Sequence, residues 1–177
     1  METVLNRGKF IKSTIVSTAA LFLPASLLRA QSQEPERPAQ IKLEIVKEFV
    51  GVSHGKLDRV KEMLENDHLL LHVSYDWGGG DYESGIEAAG HVGNKEIATY
   101  LLGKGARYNI YLACMLGHLD IVKQVLMSNP QLLNSKGPHG FTMLHHALKG
   151  GDESKSVAAY LQSLGAKETK LDFYKKV

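Results

Sequence analysis

Histidines are the residues of this chain best equipped for chemistry. There are eight in 177 residues, and His72, His139, His145 and His146 are the obvious candidates for holding a metal. Imidazole nitrogens bind first-row transition metals when two or three rings and a carboxylate converge on one point. The spacing here does not supply that convergence. His145 and His146 are adjacent and point to different faces of a helix, no Cys-x-x-Cys pair occurs, and a carboxylate partner has to come from a remote loop. Gly78-Gly79-Gly80 lacks the Gly-Lys-Ser/Thr that makes a phosphate cradle. Ser84, Asp81 and a histidine can be arranged into a hydrolase triad on paper, but such common residue types can be assembled in any chain of this length. Cys114, the only cysteine, has no basic neighbour in sequence to activate it. The expectation is a non-catalytic chain without metal or cofactor.

Whatever these residues do, helices must position them. Glycines at 55, 93, 117 and 151 each close a first helix and are followed by a second, amphipathic one. The second helices read 56–66, 94–103, 118–128 and 154–163. Within them Ile97, Leu101 and Leu102, or Ile121, Val125 and Leu126, recur at helical intervals along one stripe. The first helices carry small residues: Gly51, Ala89 and Gly90, Ala113 and Cys114, and Ala147. Neighbouring axes approach to about 8–10 Å at such positions, and a bulky side chain would wedge them apart. Four helix pairs predict an all-α solenoid with one continuous core.

The pairs are unequally spaced. Glycine to glycine, the intervals are 38, 24 and 34 residues, against a standard period of about 33. The middle interval is short by a whole hairpin, since Gly105-Ala106 runs almost directly into Tyr108-Asn109-Ile110-Tyr111. Two long connections flank it, residues 67–83 and 129–141, each leading to a glycine-rich tip. Their roots are expected about 20 Å apart at helix-packing distances, with the tips free to lean together over a notch. Tyr75, Trp77, Tyr82 and Phe141 offer rigid aromatic area there, while Asp76, Asp81 and His139 offer orienting polar groups. That mixture makes the notch the expected partner-binding site. In the competing reading Trp77 tucks under its own loop and the three glycines serve only a turn.

At the N-terminus, basic residues Arg7, Lys9 and Lys12 precede an uncharged run from Ser13 to Leu28, and Ala30 stands before Gln31-Ser32-Gln33. This is the layout of a secretory signal peptide, residues 1–30, cleaved after Ala30. The run is 16 residues long and contains Pro24, short for a bilayer-spanning helix of about 20. Residues 6–12 also resemble a twin-arginine signal with Gly8 at the second arginine, which favours the general secretory route. Residues 31–40 read as a flexible linker. The chain's formal charge of +2 belongs to the export signal: residues 31–177 carry 17 basic and 18 acidic side chains. Neither nucleic acid nor stable membrane insertion of the mature chain is expected. The tail, residues 167–177 with Lys167, Lys170, Lys175 and Lys176, reads as a solvated terminus.

Thr142-Met143-Leu144-His145-His146-Ala147 resembles the Thr-Pro-Leu-His-x-Ala opening of an ankyrin repeat, and Gly117-His118-Leu119-Asp120-Ile121-Val122 resembles that family's Gly-His-x-x-Val-Val. Residues 41–166 are similar to bacterial ankyrin-repeat proteins, within a group of short ones sharing the segments 76–81 and 137–140. The resemblance implies a stacked helical solenoid that binds a protein or peptide. For His145 it implies ring hydrogen bonds that tie its turn to the neighbouring repeat, and it carries no catalytic residue across. The expected function is an exported, non-catalytic protein-binding module acting through loops 67–83 and 129–141 and the first-helix face. The alternative is a small-ligand, metal or catalytic site enclosed by the two long loops, with His139, Asp81 and His72 converging in a deep pocket.

Overall fold

A computed structural model describes residues 37–175. The proposed signal peptide, most of the linker and the last two residues of the tail lie outside them. Eight α-helices follow one another in four pairs: α1 (Leu43–Val52) and α2 (Leu57–Asn66), α3 (Gly85–Val92) and α4 (Lys95–Gly103), α5 (Ile110–Met115) and α6 (Leu119–Ser128), α7 (Met143–Lys149) and α8 (Lys155–Ser163). The helical solenoid expected from the apolar spacing is what forms. Gly93, Gly117 and Gly151 all adopt positive φ, at +79°, +78° and +66°, the left-handed conformation that ends a helix at little cost only for glycine.

Side chains start the helices where the sequence leaves short polar residues. Asn94 Oδ1 accepts from Ile97 N at 3.0 Å, Asn109 Oδ1 from Leu112 N at 2.9 Å, and Thr142 Oγ1 from His145 N at 3.3 Å; each such cap is worth about 1 kcal/mol. At α3 the Glu87 carboxylate accepts from both Ser84 N (2.9 Å) and Ser84 Oγ (2.6 Å). Phe49, Val60, Ile97, Leu101 and Met115 anchor one half of the core, and Val122, Met143, Val157 and Leu161 the other.

Ala89, Ala113, Cys114 and Ala147 are all buried between first helices as expected, but Gly51 is not. It lies on the exposed side of the terminal helix, with nothing near the space a side chain would occupy. The close approach between α1 and α3 is made by Gly85, where a β-carbon would come within 2.7 Å of the Phe49 ring.

The two long connections are built differently. The first forms a 3-10 turn (His68–His72) and then a hairpin, β1 (Ser74–Asp76) antiparallel to β2 (Tyr82–Ser84), closed over Gly78, Gly79 and Gly80 at φ +129°, +63° and +87°. The second consists of 3-10 turns, Pro130–Asn134 and Pro138–Gly140. It borrows its pairing partner from the tail. Leu171 N donates to Gly140 O (2.8 Å), Thr142 N to Thr169 O (3.1 Å), and Phe141 bridges Lys170. The tail thus departs from the solvated terminus expected of its lysines: backbone groups of the loop require hydrogen bonds, and residues 168–171 satisfy them.

The hairpin expected to be missing between the second and third pairs is indeed absent before α5, and α5 has only six residues. The consequence exceeds the notch foreseen. Helix α7 reaches past α5 to touch α3: His145 Nε2 lies 2.8 Å from His91 O, and a β-carbon on Gly93 would strike the Lys149 carbonyl. The two long loops are therefore brought side by side.

Candidate functional site

Loop contact begins at their tips. His139 adopts φ +59°, the one non-glycine residue among those described with positive φ, and this backbone turn aims both its N–H and its ring at Asp81. The backbone nitrogen is 2.8 Å from Asp81 Oδ1 and ring Nδ1 is 2.7 Å from Oδ2. Tyr174 of the tail donates to Gly78 O at 3.1 Å. Three separate segments are thus joined over the first helices.

Beneath this clasp lies Glu83, fully buried in β2. Its Oε2 accepts from the Trp77 indole N–H at 2.8 Å and lies 3.4 Å from His139 Nε2. Its Oε1 faces two rings: His91 Nε2 at 2.8 Å and His54 Nε2 at 3.7 Å. Neither contact has hydrogen-bond geometry, so Oε1 is buried without a hydrogen bond. The two histidine Nε2 atoms are themselves 3.0 Å apart. His54 follows the end of α1 and is about a third exposed, whereas His91, near the end of α3, is almost covered. Burial pushes the Glu83 carboxyl upward, but the contact with His91 and the charges of His91, His54 and His139 outweigh it, and the group is held below the usual carboxylate value. A patch with this composition can hold a proton or a cation.

Residues 86–172 match a family model of ankyrin repeats, three copies of them. This stretch is built of ankyrin repeats. The match begins in α3 and runs into the tail, and the α1–α2 pair precedes it. No curated protein matches the chain. Ankyrin repeats are generally protein–protein interaction modules. His145 does make a ring hydrogen bond to another repeat, but to His91 O two helix pairs away rather than to the neighbouring repeat that the resemblance implies, because α7 reaches past the short α5. No helix of the described residues is long and apolar enough to cross a membrane.

Within this ankyrin frame the seven residues expected at the notch separate into two sets. Trp77 and Tyr82 remain 39% and 60% exposed, and Tyr75 meets Trp77 edge-on at 4.8 Å. Asp76 is exposed but caps its own turn, accepting from Gly78 N (2.8 Å) and Gly80 N (3.2 Å). Asp81, His139 and Phe141 turn toward the chain itself. Asp81 is buried in the clasp, and Phe141 stacks on His145 (4.0 Å) and His91 (5.1 Å) with Lys170 over its ring. Trp77 combines both expectations, fixed under its loop by Glu83 and open on one side.

His72 does not join His139 and Asp81; it lines a separate cavity with His68 and Tyr100. His68 and His72 stand four residues apart, a spacing that pairs ligands on an α-helix. They lie instead in a 3-10 turn, where residues three apart align. Gly51-Val52-Ser53-His54-Gly55 spells Gly-x-Ser-x-Gly, yet it closes a helix, and the buried Ser53 hydroxyl donates to Phe49 O at 2.7 Å. No nucleophile is presented there. His54, Glu83 and His91 each belong to a different segment, so no sequence spacing links them. The one local sign was a glutamate at an inward position of a two-faced hairpin.

Proposed function

We propose that the chain is an exported, non-catalytic protein-binding module that takes a protein or peptide on the clasped loops 67–83 and 129–141 and the adjoining first-helix face. The observation that carries this reading is the state of Trp77. Its indole N–H is fixed by Glu83 at 2.8 Å while 39% of the residue stays exposed. A large aromatic held in one orientation costs little entropy when a partner covers it. Beside it runs an open groove of about 470 Å³ lined by Glu44, Lys47, Glu48, Gly51, Val52 and Lys56. Tyr82 stands exposed on the same hairpin. Export is supported by the basic, then uncharged, then small-residue order of residues 1–30.

The test is affinity capture from an envelope extract with wild type beside a Trp77→Ala/Tyr82→Ala variant. A discrete protein enriched by wild type and lost from the variant is expected. Identical capture by both overturns the assignment of this face. N-terminal sequencing of the chain recovered from the envelope checks export, with Gln31 expected as the first residue; Met1 at the N-terminus of all recovered chain contradicts cleavage.

A further inference from the structure

The geometry around Glu83 goes beyond a binding face. His54 Nδ1 lies 3.1 Å from Gly51 O and 3.2 Å from Val50 O. Carbonyl oxygens only accept, so Nδ1 carries the hydrogen and a neutral His54 presents a lone pair at Nε2. That lone pair points into a space shared with His91 Nε2 at 3.0 Å and Glu83 Oε1 at 3.7 Å. Three electron-rich atoms facing one another require a positive centre between them. A single proton on His91 Nε2 serves the contact with His54 and leaves Glu83 Oε1, fully buried, without a hydrogen bond, an arrangement that costs the full desolvation of that oxygen. A metal ion serves all three at once.

The separations suit one. With metal–ligand bonds of about 2.0–2.2 Å, tetrahedral ligands stand about 3.3–3.6 Å apart. The three observed distances, 2.8, 3.0 and 3.7 Å, straddle that range. A circle through the three atoms has a radius of about 1.9 Å, so an ion about 2.1 Å from each sits roughly 0.9 Å out of their plane with a fourth position free. The supporting contacts are those that metal sites require. His54 Nδ1 is anchored on backbone carbonyls, and Glu83 Oε2 is anchored by the Trp77 N–H, which turns Oε1 inward. His91 is stacked on Phe141. The partial exposure of His54 supplies an entry path.

We propose that His54 Nε2, His91 Nε2 and Glu83 Oε1 bind one divalent transition-metal ion of the zinc class, leaving a fourth coordination position for water or a donor atom from a ligand. Two imidazoles and one carboxylate oxygen match zinc and its neighbours, whereas magnesium and calcium select oxygen-only sets. Among the described residues this is the one trio of side chains that brings its donor atoms so close.

The test uses the full chain, stripped with chelator and titrated with zinc by calorimetry. One equivalent binding to wild type is expected. His54→Ala and Glu83→Gln should each weaken it at least about 100-fold, and Trp77→Phe, which removes the supporting N–H with the pyrrole half of the ring and replaces none of the three ligands, about 10-fold. His72→Ala should bind as wild type does. Circular dichroism establishes that each variant is folded; if Glu83→Gln is not, the partly exposed His54 still decides the matter. The proposal is overturned by wild type that takes up no stoichiometric zinc, which would leave a proton shared between the rings. It is equally overturned by a folded His54→Ala that binds as tightly as wild type, or by a His72→Ala that loses binding.

Discussion

His139 grips Asp81 across two loops 58 residues apart in sequence, with its backbone N–H at 2.8 Å and its ring Nδ1 at 2.7 Å from the two carboxylate oxygens. Asp81 is the more deeply buried partner. Removing it leaves two donors unpaired, while removing the ring of His139 leaves Asp81 its backbone contact. Asp81→Ala is therefore expected to cost about 2–4 kcal/mol and His139→Ala about 1–2 kcal/mol. The double variant should fall short of their sum by at least about 0.5 kcal/mol. Urea unfolding midpoints of the four proteins measure this, and strict additivity would show that the loops do not support each other.

His146 contributes to the acid limb of stability. Burial lowers its pKa from 6.5 to about 4, against the opposing bond from Nδ1 to Thr142 O. His145 is shifted in the same direction, again by burial first. Between pH 6.5 and about 4 the unfolded chain binds a proton at His146 that the folded chain refuses, so stability falls as pH falls through that window. The loss from this one group reaches about 3 kcal/mol near pH 4. Thermal unfolding from pH 7.5 to 4 should show it, and His146→Leu should flatten the slope. An unchanged slope in the variant would assign the acid sensitivity elsewhere.

Cys114 is sealed between first helices, and burial raises its pKa to about 12. Since the thiolate is the reactive form, the native protein at pH 8 should react with a disulfide reagent at least about 100-fold more slowly than the unfolded chain. Equal rates with and without denaturant would contradict this burial. Cys114→Ser should destabilise by about 1–3 kcal/mol, because a hydroxyl costs more to bury than a thiol in this fully covered position.

Docking of the tail is tested at Gly140. This residue has φ +77°, and a β-carbon there would collide with the Leu171 carbonyl. Gly140→Ala should cost about 1–3 kcal/mol through strain and lost tail pairing. It should also expose Lys170 to trypsin, whereas wild type is cut there slowly. Equal cleavage rates in the two proteins would mean the tail is not held by this loop.

Much of the scaffold was legible in the sequence because its signals are local. Gly93 and Gly117 announce helix ends by the conformation only glycine takes cheaply, and the 24-residue interval between them exposed the absent hairpin before α5. The contact between α7 and α3 was not legible, since it depends on how far a six-residue α5 recedes. Nor was the tail, whose lysines suggest solvent while its backbone pairs with Phe141 and Gly140. At the site, Asp81 and His139 were singled out and do meet, but as a clasp. His54, Glu83 and His91 were missed for a physical reason: spacing rules see ligands on one helix, and these come from a helix end, a strand and a second helix. Gly51 misled because smallness marks a packed position only where a neighbour is present, and α1 has none on that side.

The direct test of the proposed binding face is photo-cross-linking from the chain in the cells that make it, with a photoreactive phenylalanine analogue at position 82 and, as the control, at position 127. Tyr82 lies on the clasped hairpin, and Met127, 72% exposed, lies on second helix α6. A discrete adduct with one other protein from position 82 and none from position 127 is the predicted result. The same adduct from both positions, or adducts from position 127 alone, would contradict recognition by the loops.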